Sequence, residues 1–177
     1  DCATAMAEAA IMAHSVNGRK NLLVSAGVHP NYREVLNTYA WSIGLDVIEI
    51  PLNNGETDFA ELNTESACVI VQYPNFFGTI EDLKKAGEAA RAAGAMFIVV
   101  ADPTACAILP PPGEFGADIV VGEGQPLDIA MGFGGPLLGL FATKSEHIRR
   151  IPGRIVGRTN DANGTPGYVM TMRTREQ

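Results

Sequence analysis

The stretch ACVIVQYPNFFGTIEDLKKAGEAARAAGAMFIVVADPT, residues 67–104, decides the fold. Its first seven residues, ACVIVQY (67–73), form an apolar, β-branched run that reads as a buried strand. A loop holding Pro74 and Gly78 follows. Thr79 is predicted to cap a helix over 80–93, with Glu81 and Asp82 in its first turn and Gly94 at its end. MFIVVA (96–101) is a second apolar run, closed by Asp102 and Pro103. An apolar strand, a helix of about a dozen residues and another apolar strand make a βαβ unit. Such units build a parallel sheet covered on both faces.

The same alternation continues outward. Residues 1–17 read as a helix started by Asp1 or Thr4 and stopped by Gly18. NLLVSA (21–26) is a short strand. Pro30 opens an amphipathic helix over 31–43, with Tyr32, Val35, Leu36, Tyr39 and Ile43 at spacings of three and four, ended by Gly44. DVIEI (46–50) is another strand, followed by a polar turn, NNGET, and a helical turn near 58–64. Beyond the central unit, DIVVG (118–122) and PLLGLFAT (136–143) complete the strand set. A short helix near 145–150 precedes two strands around an Asn163-Gly164 turn. Ligands bind parallel sheets at the carboxyl ends of their strands. The loops at 26–30, 73–79, 102–113 and 122–136 are therefore expected along one edge.

Composition narrows the function. The 177 residues carry 13 basic and 20 acidic side chains, a net charge of −7. Residues 1–143 hold 6 basic and 17 acidic groups, whereas 144–177 hold 7 basic and 3 acidic. An acidic body speaks against a nucleic-acid groove, and the basic tail reads as solvated surface or a docking segment. No apolar run is long enough for a membrane span. Three cysteines (2, 68 and 106) without a CxxC suggest neither disulfides nor zinc. They point to a reducing, cytoplasmic setting, with Cys68 a buried small hydrophobe. No metal site is expected. The chain opens without Met and stops at TREQ without a helix stop signal, which reads as part of a longer polypeptide.

Neither GxGxxG nor GxxxxGK[ST] occurs, and GFGGP (132–136) precedes a strand instead of opening a helix, so phosphate loops are absent. The three histidines are far apart, and no GxSxG elbow supports a triad. Asp102 stands at the end of the most apolar strand, where an acid can hold a cationic ring nitrogen or simply cap a turn. His29, in VHPNY (28–32), falls on the same edge as a site residue or a helix-capping one. Asn75 and two aromatics, in YPNFFG (73–78), end another strand there.

HPNYREVLNTYA, QYPNFFGTIEDL, PPGEFGADIVVGEGQPL, MGFGGPLLGLFAT and PGRIVG together resemble the glycine dehydrogenase (decarboxylating) family, the P-proteins of the glycine cleavage system. DCATAMAEAAIMA resembles the stretch that opens the cofactor domain there. The likeness covers essentially the whole chain. It is to subunit 1 of the two-subunit form, which corresponds to the N-terminal half of undivided P-proteins and assembles with subunit 2 as paired heterodimers.

The resemblance implies the α/β large domain of the pyridoxal-phosphate (PLP)-dependent transferases, aspartate aminotransferase-like, with its run at 137–143 antiparallel. It implies a core over 1–151 and a β-hairpin extension over 152–177. The family decarboxylates glycine and passes the aminomethyl group to the lipoyl arm of the H-protein. PLP withdraws the carbanion charge and needs a lysine to carry it. In the cofactor-bearing subunit a His-Lys pair follows the fifth strand; here that loop reads GEGQPL, with Gln125 and Pro126 in the matching region. The only lysines are Lys20, Lys84, Lys85 and Lys144, none in a suitable context. This subunit is thus implied to lack the covalent anchor, so that no catalytic residue is expected. Asp102 matches the acid paired with the pyridine nitrogen and His29 a histidine on the cofactor face. Ala3 and Thr4 stand where a helix N-terminus would hold the phosphate. PLP is expected in the partner subunit, with at most weak, reversible binding here that depends on Asp102.

Two other readings stay open at this point: a PLP enzyme with its lysine outside these residues, and an inert flavodoxin-like module binding a nucleotide or partner. Apolar surface is expected near 1–17 and 152–177, where a partner would cover it.

Overall fold

The computed structural model of the chain describes residues 1–171. In chain order the elements are α1 (Cys2–Asn17), β1 (Asn21–Ser25), α2 (Pro30–Ile43), β2 (Asp46–Ile50), β3 (Leu52–Asn53), β4 (Glu56–Thr57), β5 (Ser66–Tyr73), α3 (Leu83–Ala93), β6 (Met96–Ala101), β7 (Ile119–Glu123), β8 (Gly139–Thr143), β9 (Ile155–Asn160) and β10 (Pro166–Thr171). Six strands form one sheet in the order β2-β1-β5-β6-β7-β8. All neighbours are parallel except β8, which runs against β7 with Val121 opposite Phe141. The expected parallel sheet with one reversed strand is what forms.

The alternation of the pleat sends residues of each strand to two separate cores. Leu22, Val24, Cys68, Ile70, Ile98 and Val100 pack under α1 and α2 on one face. Leu23, Val69, Val71, Phe97 and Val99 meet α3 on the other. The continuous apolar runs are the consequence of this two-sided cover. Cys68 is fully buried, as its setting suggested.

Three local expectations need correction, at the start of α3, near 58–64 and at α1, whereas the short helix near 145–150 and the turn in NNGET form as expected, as a 3-10 helix and a tight hairpin. Thr79 does not cap a helix, and Glu81 and Asp82 are not in a first turn. Instead α3 starts at Leu83, with the Asp82 carboxylate accepting from Lys85 N–H. Residues near 58–64 make turns and no helix. The NNGET segment is a miniature hairpin, β3 against β4, turned at Asn54 and Gly55, both with positive φ. Finally, α1 is not a surface waiting for cover. Met6, Ala7, Ala9, Ala10 and Ala13 are completely buried, because alanines let the helix lie close across the sheet. Exposed apolar side chains gather instead between β7 and β8, at Leu127, Met131, Phe133, Leu137 and Leu138, and on the hairpin at Val156, Tyr168 and Val169.

β9 and β10 pair antiparallel around Asp161 to Thr165, with Gly164 at positive φ, as the Asn-Gly signal predicted. The last six residues of the expected extension, 172–177, lie outside the described residues.

Candidate functional site

The parallel strands end on one edge. There the loops after β5, β6 and β7 and the first turn of α1 border a cleft of about 180 Å³. Cys2, Tyr32, Gln72, Asp102 and Glu123 supply its polar groups.

Asp102 leaves β6 at this edge. Its Oδ1 accepts from the Thr104 N–H at 2.8 Å and the Thr104 hydroxyl at 2.6 Å, closing an Asx turn. Partial burial raises its pKa, but the Thr104 hydroxyl and the N–H groups of Thr104 and Ala105 outweigh that, so it titrates below the usual aspartate value.

His29 caps α2. Its Nδ1 accepts from Asn31 N–H at 3.2 Å, while its own backbone N–H donates to Gln72 Oε1 at 2.9 Å. The ring stacks on Tyr32 with centroids 4.8 Å apart and meets the edge of Phe76 at the same distance. The position is on the predicted edge, and the imidazole is occupied with capping and packing.

Thr4 lies in the first turn of α1. Its N–H donates to Asp1 Oδ1 at 2.8 Å, and its hydroxyl to the Asp1 carbonyl at 3.0 Å. Asp1 is therefore the cap, and Thr4 is half-buried behind it. Asp102 lines the cleft directly, whereas His29 and Thr4 stand at its margin behind Tyr32 and Cys2.

Two groups that sequence reasoning passed over do more here. Glu123 ends β7. Its Oε2 accepts from Cys2 N–H at 3.0 Å, and its Oε1 from Gln125 N–H at 3.1 Å and Leu138 N–H at 2.9 Å. Burial raises this carboxyl, but the three N–H donors hold it below its usual range. Its signal was an acid at a strand end, as at Asp102; GEGQPL drew attention only for its missing lysine.

Glu81 is the second. It is 4% exposed, and its Oε1 accepts from Thr57 Oγ1 at 2.8 Å and Asn75 Nδ2 at 3.1 Å, its Oε2 from Thr57 N–H at 3.0 Å. Thr57 reaches on to Ser25, hydroxyl to hydroxyl at 2.7 Å. Asn75 Oδ1 takes the N–H groups of Phe77 and Thr79. This network pins the 73–79 loop and leaves Phe76 and Phe77 facing out at the site edge. It is also why α3 begins late: the carboxylate that would have sat in its first turn is pulled inward.

Burial pushes the Cys2 thiol up to about 12, with the Glu123 charge adding to it, and burial likewise raises the Tyr32 phenol to about 12. Both stay neutral, while Asp102 and Glu123 stay ionised. The cleft presents negative charge and no amine. It suits a cation and offers nothing for an imine. The four lysines are all exposed and away from it: Lys20 before β1 and Lys144 after β8 at the opposite edge, Lys84 and Lys85 on α3. Among the described residues no His, Cys, Asp and Glu group is placed to hold a metal.

The chain matches the family model of the glycine cleavage system P-protein over residues 1–177. It is 52% identical, over its whole length, to a probable glycine dehydrogenase (decarboxylating) subunit 1 of Anoxybacillus flavithermus, and 50% identical to one of Desulforamulus reducens. It spans 40% and 41% of those relatives. The crystal structure of an inhibitor-bound glycine decarboxylase (P-protein) of the glycine cleavage system superposes with a TM-score of 0.92 at 48% identity, over 97% of this chain and 39% of that one. A cysteine desulfurase from Thermococcus onnurineus shares the fold alone, with a TM-score of 0.67 at 19% identity over 97% of this chain and 44% of that one. The fold is that of the PLP-dependent transferase large domain.

Proposed function

We propose, because the chain belongs to the glycine cleavage system P-protein family, that it forms the central part of the large domain of glycine dehydrogenase (decarboxylating) subunit 1 and serves as the half without the cofactor. In this reading residues 1–151 are the domain core, and 152–177 extend it toward further sequence. The subunit pairs with a PLP-bearing subunit 2, in paired heterodimers. The assembly decarboxylates glycine and hands the aminomethyl group to the lipoyl arm of the H-protein in the cytoplasm, where three unpaired thiols are at home. When bound in the partner, PLP supplies the electron sink for the carbanion that loss of carbon dioxide leaves.

One observation carries the assignment of roles: the loop after β7 holds Gln125 and Pro126 and no lysine, within a fold otherwise matched at a TM-score of 0.92. The remaining residues offer the cofactor little, since Thr4 and His29 are taken up in the helix starts. Asp102, the counterpart of the ring-nitrogen acid, spends Oδ1 on Thr104. Thr4, His29 and Asp102 are better read as structural caps that keep the carboxyl edge in shape. This chain then contributes binding surface and support, with Phe76 and Phe77 held out by the Glu81 network. No phosphate loop favours the nucleotide-binding alternative, and the relatives named above favour the decarboxylase.

The test is co-expression of the full-length subunit with its PLP-bearing partner, followed by exchange of labelled carbon dioxide into glycine. Exchange is expected only when both are present. Exchange by the PLP-bearing partner alone at the full rate, or by this subunit alone, overturns the reading.

A further inference from the structure

The cofactor-free reading leaves Glu123 without a task, yet no other carboxylate at this edge is held by three separate backbone segments. The first N–H groups of a helix have no partner within it and attract an anion. In α1 three of these early donors are already spent. Cys2 N–H goes to Glu123, Thr4 N–H to the Asp1 carboxylate and Ala5 N–H to the Asp1 carbonyl. Glu123 also gathers Gln125 N–H and Leu138 N–H, so donors from α1, from the loop after β7 and from the lead into β8 converge on one carboxylate. Backbone N–H groups converging on an oxyanion are the usual way a phosphate is held.

A separate observation concerns space. Gly139, at the start of β8, lies so close to the helix that a Cβ there would fall 2.6 Å from the Asp1 carbonyl oxygen. A Cβ on Gly124 would likewise fall 2.8 Å from Leu138. The start of β8 is thus packed directly against the helix end, with the Leu138 side chain filling the space beside Gly124.

We propose that the Glu123 carboxylate is a built-in substitute for a cofactor phosphate: it fills the anion position at the N-terminus of α1, ties that helix to β7 and β8, and closes the edge of this subunit to PLP and other phosphate-bearing ligands. The inference rests on reading this chain as the half without cofactor and says how its fold does without one. Glu123 is a positioning residue. Its low carboxyl pKa, a product of the same N–H donors, keeps the substitute charged.

The test uses the full-length subunit without its partner, probed with inorganic phosphate and with pyridoxine 5′-phosphate, which has no aldehyde and reports only non-covalent binding. Titration followed by amide shifts of Cys2 to Ala5 is expected to show no saturation up to ~10 mM for the unaltered protein. Glu123→Ala frees three N–H groups and is expected to tighten phosphate binding by about tenfold or more at those amides. Glu123→Gln keeps the shape, removes the charge and is expected to give a smaller gain; it serves if the alanine variant does not fold. Saturable binding of either probe at the α1 amides of the unaltered subunit overturns the proposal. So does a folded Glu123→Ala or Glu123→Gln variant with no gain. Carbon dioxide exchange is not read in this experiment, so a failed functional assignment and a failed phosphate substitute give different results.

Discussion

Replacing Glu81 by alanine is expected to loosen the whole margin between β4 and the 73–79 loop. Three hydrogen bonds end on this carboxylate: from Thr57 N–H, Thr57 Oγ1 and Asn75 Nδ2. Thr57 Oγ1 still has Ser25, and Asn75 Nδ2 still has the Gly55 carbonyl at 3.0 Å, but the buried Thr57 N–H loses its carboxylate. One hydrogen bond to a charged group is worth about 1.5–3 kcal/mol, and two partly compensated ones add about 0.5–1.5 each. The loss is therefore about 2.5–6 kcal/mol, or a fall in Tm of roughly 5–24 °C for a chain of this size. Glu81→Gln keeps one oxygen but turns an N–H₂ toward a donor, so about half that loss is expected. Urea unfolding followed by circular dichroism measures both, and a cycle with Asn75→Ala isolates their coupling, expected at ~0.5–3 kcal/mol. A loss under ~1 kcal/mol for Glu81→Ala, with no coupling to Asn75, would refute the claim that this network holds the loop.

Two further outcomes are expected. Glu123 titrates below its ordinary value of 4.5 in the folded chain, so its contribution to stability is complete above that pH and disappears as pH falls through the lower folded value. Urea midpoints between pH 6 and pH 3 should fall less steeply for Glu123→Gln than for the unaltered chain, and parallel curves would contradict the hydrogen-bond assignment. Burial raises the thiol pKa of Cys2 and Cys68 to about 12 and that of the half-buried Cys106 less far. A disulfide reagent at pH 8 should therefore label Cys106 alone, slowly, in the native state and all three thiols in denaturant. Rapid native labelling of Cys2 would show that α1 is not seated as described.

The sheet was legible in the sequence because its strands announce themselves. Runs such as VIVQY and MFIVV admit no solvent face, and glycines at 18, 44 and 94 mark where each helix must stop. The reversed β8 was not legible from pattern, since an apolar run carries no direction; resemblance to the family supplied it. The late start of α3 escaped because Thr79, Glu81 and Asp82 are good first-turn residues locally. Thr57, 24 residues away, and Asn75 in the preceding loop draw the Glu81 carboxylate inward. The site divided in the same way. Asp102, His29 and Thr4 were found on the expected edge because strand ends and helix starts can be located by counting. Their hydrogen-bond partners, and the central place of Glu123, depend on a contact across 121 residues that no local spacing reveals.

That long contact bears on how the molecule comes into being. The amino end of α1 is finished by Glu123 and by the close approach of Gly139. At a synthesis rate of about 5–20 residues per second, the helix waits roughly 6–24 s for them. During that interval a helix with a broad apolar face has only α2 and the earlier strands to lie against. The helix is thus completed by strands made much later. A chain interrupted before β7 and β8 would carry this helix with its Cys2 N–H unpaired and its apolar face only partly covered, a natural target for chaperones and a starting point for aggregation.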